Sequence, residues 1–175
     1  MREFVINTSD LPCEAKNLRA GDRVLLTGTV YTARDAAHKR IVSLLSAGEA
    51  LPFDLSGAVI YYAGPTPAKN GLAIGSIGPT TSSRMDVFTP ALLQKGLCAM
   101  IGKGARNDAV VESMKKHGAV YFAAIGGAGA LYSQCITSCE VIAFDDLGCE
   151  SVKKLIVKDF PLTVAVDSLG GSLYK

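Results

Sequence analysis

The run Ala119–Ile125 is apolar at every position and ends on Gly126-Gly127. A half-exposed strand alternates apolar and polar residues, whereas an unbroken apolar run suits a strand buried on both faces. Such a strand needs further layers above and below it. Two other runs have the same form: Ala58–Ala63 closes on Gly64, and Leu97–Ile101 closes on Gly102. Amphipathic stretches lie between them. Ala36–Leu45 puts Ala37, Ile41, Leu44 and Leu45 on one face at helical spacing. Asp108–His117 does the same with Val110, Val111 and Met114, with Gly118 as C-cap. Buried strands interleaved with helices predict an α/β chain with a mixed central sheet. With 175 residues, 49% of them hydrophobic, the chain suits one domain over 1–175.

Local signals place the other elements. Residues 1–20 read as a lead-in. Arg23–Tyr31 reads as strand, being rich in Val, Leu, Thr and Tyr. Asn70-Gly71 is a hairpin signal and predicts a Leu72–Ile77 strand antiparallel beside Ala58–Ala63. Thr89-Pro90 reads as N-cap and first helical residue, with Gly96 as the stop. A short helix is expected over Ala130–Cys135, strands over Glu140–Phe144, Val152–Val157 and Leu162–Val166, and a closing loop over Asp167–Gly171.

The chemistry concentrates in Gly75–Asp86, which carries two further landmarks, Gly78-Pro79, then Thr80, Thr81, Ser82, Ser83 and Arg84. Glycines, hydroxyls and a guanidinium at a strand-to-helix connection make a recipe for binding an anion. The same residues also suit a tight connection with hydroxyl capping. Three cations share one setting. Arg34 and Arg84 each follow a strand and open a helix, and Lys103 follows a strand between Gly102 and Gly104. Ligands of α/β sheets collect at the carboxyl ends of strands. Convergence of these three there would suit a small substrate with two carboxylates. Asp35 suits a helix start, and His38, one turn on, either orients such a site or lies on the helix surface.

Other chemistries lack their signatures. Gly102-Lys103-Gly104 misses the spacing and the hydroxyl residue of a phosphate-binding loop, and no dinucleotide glycine pattern is complete. No Gly-x-Ser-x-Gly elbow occurs. The five cysteines (Cys13, Cys98, Cys135, Cys139, Cys149) are scattered, so neither a disulfide framework nor a metal site is expected. Cys135 and Cys139 have the spacing of one helical turn. The net charge of +2 argues against a nucleic-acid binder. No apolar stretch has the length of a membrane span, and Met1–Asn7 lacks signal-peptide character, so the expected location is cytoplasmic.

Several stretches match one family in order: Gly21-Asp22 through Thr29, Ala33-Arg34-Asp35-Ala36-Ala37-His38, Tyr62-Ala63-Gly64-Pro65, Ile77–Met85, Met100–Gly104 and Asp167-Ser168. The chain resembles the β subunit (the C-terminal-domain equivalent) of class I iron–sulfur fumarate hydratases and of the related L-tartrate dehydratases. The resemblance implies a swivelling β/β/α domain. It also implies an α subunit partner, in a hetero-oligomer, that holds a [4Fe–4S] cluster through its own cysteines, with no metal ligand here. One iron would act as Lewis acid on the substrate carboxylate and hydroxyl. Arg34, Arg84 and Lys103 match family positions that grip the dicarboxylate. Thr80 matches the threonine assigned to proton transfer or to orienting the hydroxyl, with an Asp of the partner. Asp35, His38 and Thr81 fall in the same motifs as supporting residues. The implied reaction is reversible hydration of fumarate to malate. Tartrate dehydration is the near alternative, and a stand-alone carboxylate-binding module is the alternative from another class.

Overall fold

The computed structural model describes residues 2–68 and 71–174. Seven strands are present among them: β1 (Glu3–Asn7), β2 (Arg23–Thr32), β3 (Val59–Tyr61), β4 (Ala99–Gly102), β5 (Val120–Ala123), β6 (Ile136–Ala143) and β7 (Val152–Val166). The helices are α1 (Leu11–Glu14), α2 (Asp35–Ala47), α3 (Thr89–Gln94), α4 (Asp108–His117) and α5 (Gly129–Tyr132). β1 to β5 pair in parallel, in sequence order. β7 runs antiparallel to β5, β6 and β2. Because β2 pairs with both β3 and β7, the sheet closes into a barrel of five strands, β2-β3-β4-β5-β7. The expected mixed α/β sheet is therefore present, but rolled shut.

Closure explains why the short runs are apolar throughout. On β3 and the residue after it, Val59 and Tyr61 join one core cluster while Ile60 and Tyr62 join the other. On β5, Val120 and Phe122 belong to the first cluster and Tyr121 to the second. Successive side chains point to opposite faces, so each strand feeds the barrel interior and the helix-covered exterior by turns. Ala37 and Ile41 of α2 and Val110 and Met114 of α4 supply the outer layer. Burying each large apolar side chain contributes about 1.5–3 kcal/mol. Helix α4 spans its predicted residues, capped by the Asn107 carboxamide (2.9 Å from the Val110 amide) and by Gly118 at φ +70°.

Several expectations are corrected. The lead-in contains β1 and α1, with β1 paired to β2 along its whole length. Leu72–Ile77 is not a strand beside Ala58–Ala63, because β2 and β4 already occupy both edges of β3. What remains there is a bridge from Ala63 to Pro79 and a short pairing, with the Thr66 amide donating to Ser76 O (3.0 Å) and the Gly75 amide to Thr66 O (3.1 Å). The turn signal at Asn70 lies outside the described residues. Thr89 is the first residue of α3 rather than its cap, and its hydroxyl donates to Met85 O (2.9 Å). Val152–Val157 and Leu162–Val166 are one strand. Its middle, around Pro161, has β2 on one side and neither β5 nor β6 on the other. A residue without an N–H is tolerated in such a one-sided stretch. β6 begins at Ile136, so Cys139 is on a strand and the helical-turn relation to Cys135 is absent. β5 stops at Ala123, and Ile125 is exposed. No helix among the described residues is long and apolar enough to cross a membrane.

Candidate functional site

The loop 75–86 is held by its backbone, which changes what it can offer. The Ile77 amide donates to Gly129 O (3.0 Å), the Thr80 amide to Tyr62 O (2.6 Å), and the Ser82 amide to Lys103 O (2.8 Å). These three N–H groups face the protein and are not offered to an anion. Its outward chemistry includes the Thr81 and Ser83 hydroxyls and the Arg84 guanidinium, while the Ser82 hydroxyl is buried against Tyr121 Oη (2.8 Å). The approach is close enough to demand glycine on the opposing side. A Cβ on Gly129 would stand 2.5 Å from Ser76 Oγ, and one on Gly102 would stand 2.0 Å from Ser82 Oγ. Tyr61 Oη donates to Ile77 O (2.8 Å) from the barrel interior. Burial pushes the Tyr61 hydroxyl well above the usual tyrosine range, which keeps it a donor.

The predicted residues gather on one face. Thr81 bridges to Lys103, and the Lys103 amide donates to Thr80 O (3.3 Å), so the end of β4 carries Lys103 beside both threonines. Three residues further on, Arg84 sits in the 3-10 turn Ser82–Met85, and its Nε donates to Asp35 Oδ1 (2.9 Å). Asp35 opens α2, directly after Arg34. Arg34 lies along Gly64, where a Cβ would come within 2.9 Å of Nη1. Its Nη2 pairs with Glu150 Oε1 (3.1 Å). Lys103 is exposed, and its ammonium takes no partner among the described residues. Arg84, half-exposed, pairs through Nε alone.

Of the two readings of His38, the helix-surface one is excluded, because the residue is fully buried. Its Nδ1 lies 2.9 Å from Arg34 O, which also accepts the His38 amide (2.8 Å). Rings of Tyr62 and Phe88 flank it. Burial lowers its pKa to about 4, so the ring is neutral, with Nδ1–H donating to the carbonyl. His38 thus anchors the start of α2 and does not reach solvent. Three buried side-chain atoms lack partners among the described residues: Arg34 Nε, Asp35 Oδ2 and His38 Nε2. All belong to one five-residue motif. Each unmatched buried polar atom costs about 1–3 kcal/mol, so their clustering points to a site arranged for something other than stability.

Two residues of this neighbourhood have no signal in the sequence. Glu150 reaches Arg34 from across the fold. Arg106, two residues after Gly104, is buried and bonded to Asp86 Oδ1 (2.6 Å) and Thr89 Oγ1 (2.7 Å). The donor set does not suit an iron–sulfur cluster: no three His, Cys, Asp or Glu side chains among the described residues converge as metal ligands. Cys98 is buried, with its thiol pushed up to about 11 by desolvation. The chemistry below therefore concerns this chain's own side chains.

The sequence profile of the family described as Fumarase C-terminus matches residues 1–175. A Methanocaldococcus jannaschii protein with the provisional name L(+)-tartrate dehydratase subunit beta is 42% identical, over 93% of this chain and 86% of its own length. The aerobic class I fumarate hydratase of Escherichia coli K12 is 37% identical over the whole of this chain. Fumarate hydratase 2 of Leishmania major is 40% identical over 88% of it. This chain spans 31% of the E. coli enzyme and 28% of the Leishmania one. Matched along its full length by the family profile, the chain belongs to the Fumarase C-terminus family.

Proposed function

We propose that this chain is the dicarboxylate-gripping β subunit of an iron–sulfur hydro-lyase that reversibly hydrates fumarate to L-malate. The observation that carries the reading is one face bearing Thr80, Lys103 and Arg84 beside the unmatched polar atoms of Arg34–His38. Arg84 and Lys103 grip carboxylates, the first as a fork and the second as a point charge. Arg34 supplies a third cation from the adjoining helix start. As a proton leaves or joins the carbon next to a carboxylate, negative charge accumulates on its oxygens, and cations already in place stabilise it. Thr80 stands at the reacting atoms. A threonine hydroxyl is too weak a base alone, so it acts coupled to an Asp of the partner. Asp35 and Thr81 hold Arg84 and Lys103 in position, and His38 holds the start of α2.

In this reading the [4Fe–4S] cluster belongs to an α subunit, and residues 1–175 act as one swivelling β/β/α unit in a cytoplasmic hetero-oligomer, apart from nucleic acid and membranes. When bound, the cluster supplies Lewis acidity at the substrate hydroxyl. The 42% identity to the M. jannaschii protein favours tartrate as the second reading of the same site.

Co-expression with a cluster-binding α subunit of this family tests the proposal. The expected result is an oxygen-sensitive complex that interconverts fumarate and malate. Turnover of tartrate in its place selects the second reading. Dicarboxylate binding by the lone chain, with no complex formed and no turnover, would make it a stand-alone binding module and end the hydro-lyase reading. Within an active complex, Thr80→Val should lower kcat by at least about a hundredfold; a wild-type kcat removes Thr80 from the chemistry.

A further inference from the structure

Lys153 lies on β7, away from the face described above, and only 8% of it is exposed. Its ammonium donates to Ser151 Oγ (2.7 Å), Gly148 O (3.1 Å), Cys149 O (3.3 Å) and Ser151 O (3.4 Å). No carboxylate pairs with it among the described residues. Taking an ammonium out of water is expensive, and four neutral oxygens are an unusual set of partners for it. What the ammonium secures is the turn. Gly148, at φ +59° and ψ −117°, breaks the 3-10 segment Asp145–Glu150 in a conformation that suits glycine. The carbonyls of residues 148, 149 and 151 then converge on one point, where their dipoles repel unless a cation sits among them.

That turn carries Glu150. Its carboxylate is divided between two targets: Oε1 pairs with Arg34 Nη2 (3.1 Å), and Oε2 accepts the Ala36 amide (3.3 Å) in the first turn of α2. The turn also closes over Gly64, where a Cβ would stand 3.2 Å from Cys149 O and 2.9 Å from Arg34 Nη1. Arg34 is thus confined by Gly64 and Glu150, and both contacts depend on the path of residues 148–151. Arg34 is the N-cap residue of α2, and its side chain makes no capping bond to the helix.

We propose that Lys153 is a positioning residue for Arg34, acting through the carbonyl cluster of the 148–151 turn and the carboxylate of Glu150. Lys153 touches neither Arg34 nor the exposed face. It fixes the turn, the turn aims Glu150, and Glu150 aims both the guanidinium and the first turn of α2. The consequence for turnover rests on the assignment of Arg34 to substrate in the proposed function; the consequence for Arg34 and α2 does not.

The test uses hydrogen exchange on the full chain, then kinetics on the assembled complex. Lys153→Met should speed exchange of the Ala36 amide by about tenfold or more, while barrel amides such as Phe122 keep their protection. Lys153→Arg, which keeps a cation among the carbonyls, should restore much of it. Glu150→Gln should speed exchange at Ala36 less and free the Arg34 side chain, read from its Nε–H signal. In the complex, Lys153→Met and Glu150→Gln should raise the KM for the dicarboxylate about tenfold with kcat little changed. Wild-type protection at Ala36 in Lys153→Met overturns the proposal. If that variant fails to fold, Ser151→Ala, which deletes the 2.7 Å contact to the ammonium together with the Ser151 hydroxyl's own bond to Gly148 O (2.7 Å), must show the local loss at Ala36; unaltered exchange there is equally fatal. Lost protection at Ala36 with an unchanged KM upholds the positioning role and instead removes Arg34 from substrate binding.

Discussion

Arg84 and Arg106 make the same contact with opposite meaning. Each donates its Nε to one oxygen of an aspartate, Asp35 at 2.9 Å and Asp86 at 2.6 Å. The Arg106 side chain is fully buried, whereas 51% of the Arg84 side chain is exposed. Arg106 spends its remaining donors inward, on Thr89 Oγ1 and Tyr62 Oη, with the rings of Tyr62 and Tyr121 stacked over its guanidinium. Asp86 is committed as well, its second oxygen accepting the Asn107 amide (2.9 Å). Arg84 keeps its terminal nitrogens unpaired among the described residues. A buried charge must be matched completely, while an exposed one can hold donors in reserve for a ligand. The difference separates a cation that ties the loop 82–89 to the start of α4 from one whose terminal donors stay open on the surface, as the proposed substrate role of Arg84 requires.

The largest effect should come from breaking the buried side of this contrast. Asp86→Ala leaves Arg106 uncompensated and should cost about 3–5 kcal/mol in urea unfolding. A loss below about 1 kcal/mol would mean that Arg106 is relieved by water and that the contrast is one of degree.

Next in size is a pH effect at His38, which lies between the two arginine environments. Its folded pKa of about 4 is below the ordinary 6.5, so the unfolded chain takes up the proton first as pH falls. The stabilisation from keeping the ring neutral is complete above pH 6.5 and is lost as the pH falls to about 4. Over that window the native chain should lose roughly 3 kcal/mol more than His38→Gln does. Parallel pH profiles for the two proteins would show that His38 titrates normally.

On the exposed side, Arg84→Ala or Lys103→Ala should lower kcat/KM of the assembled enzyme about a hundredfold, close to 2.7 kcal/mol, while unfolding free energy changes by less than about 1 kcal/mol. A large stability loss with normal turnover would reverse the roles assigned here. The smallest effect belongs to Asp35→Asn. The Arg84–Asp35 pair is partly solvated, so its loss should cost about 0.2–1 kcal/mol, and dianion binding should weaken only a fewfold as Arg84 loses the partner that holds it in position.

Legibility in the sequence followed the range of the interactions. Helices α2 and α4 could be read because apolar spacing and capping residues act within a few positions of one another. The placement of Arg34 and Lys103 at strand ends was equally local, whereas Arg84, expected to follow a strand over Leu72–Ile77, sits inside the 3-10 turn Ser82–Met85 with no strand directly before it. The Leu72–Ile77 strand failed because the edges of β3 were already filled by partners distant in sequence. The divided Val152–Val166 strand failed because Pro161 reads as a break unless its one-sided setting is known.

The sequence by itself determined most of the buried strands and helices, and that Arg34 and Lys103 stand just beyond strand ends. Its motifs also determined the family. Closure of the barrel was decided only in three dimensions, since it depends on β2 pairing with β7 at the far end of the chain. The same holds for the inward-facing amides of the loop 75–86, the burial of His38 and Arg106, and the hold of Glu150 on Arg34. Each of these is an environment rather than a composition. Whether a charge is solvated, matched or left wanting is set by groups that only the folded chain brings within hydrogen-bond reach.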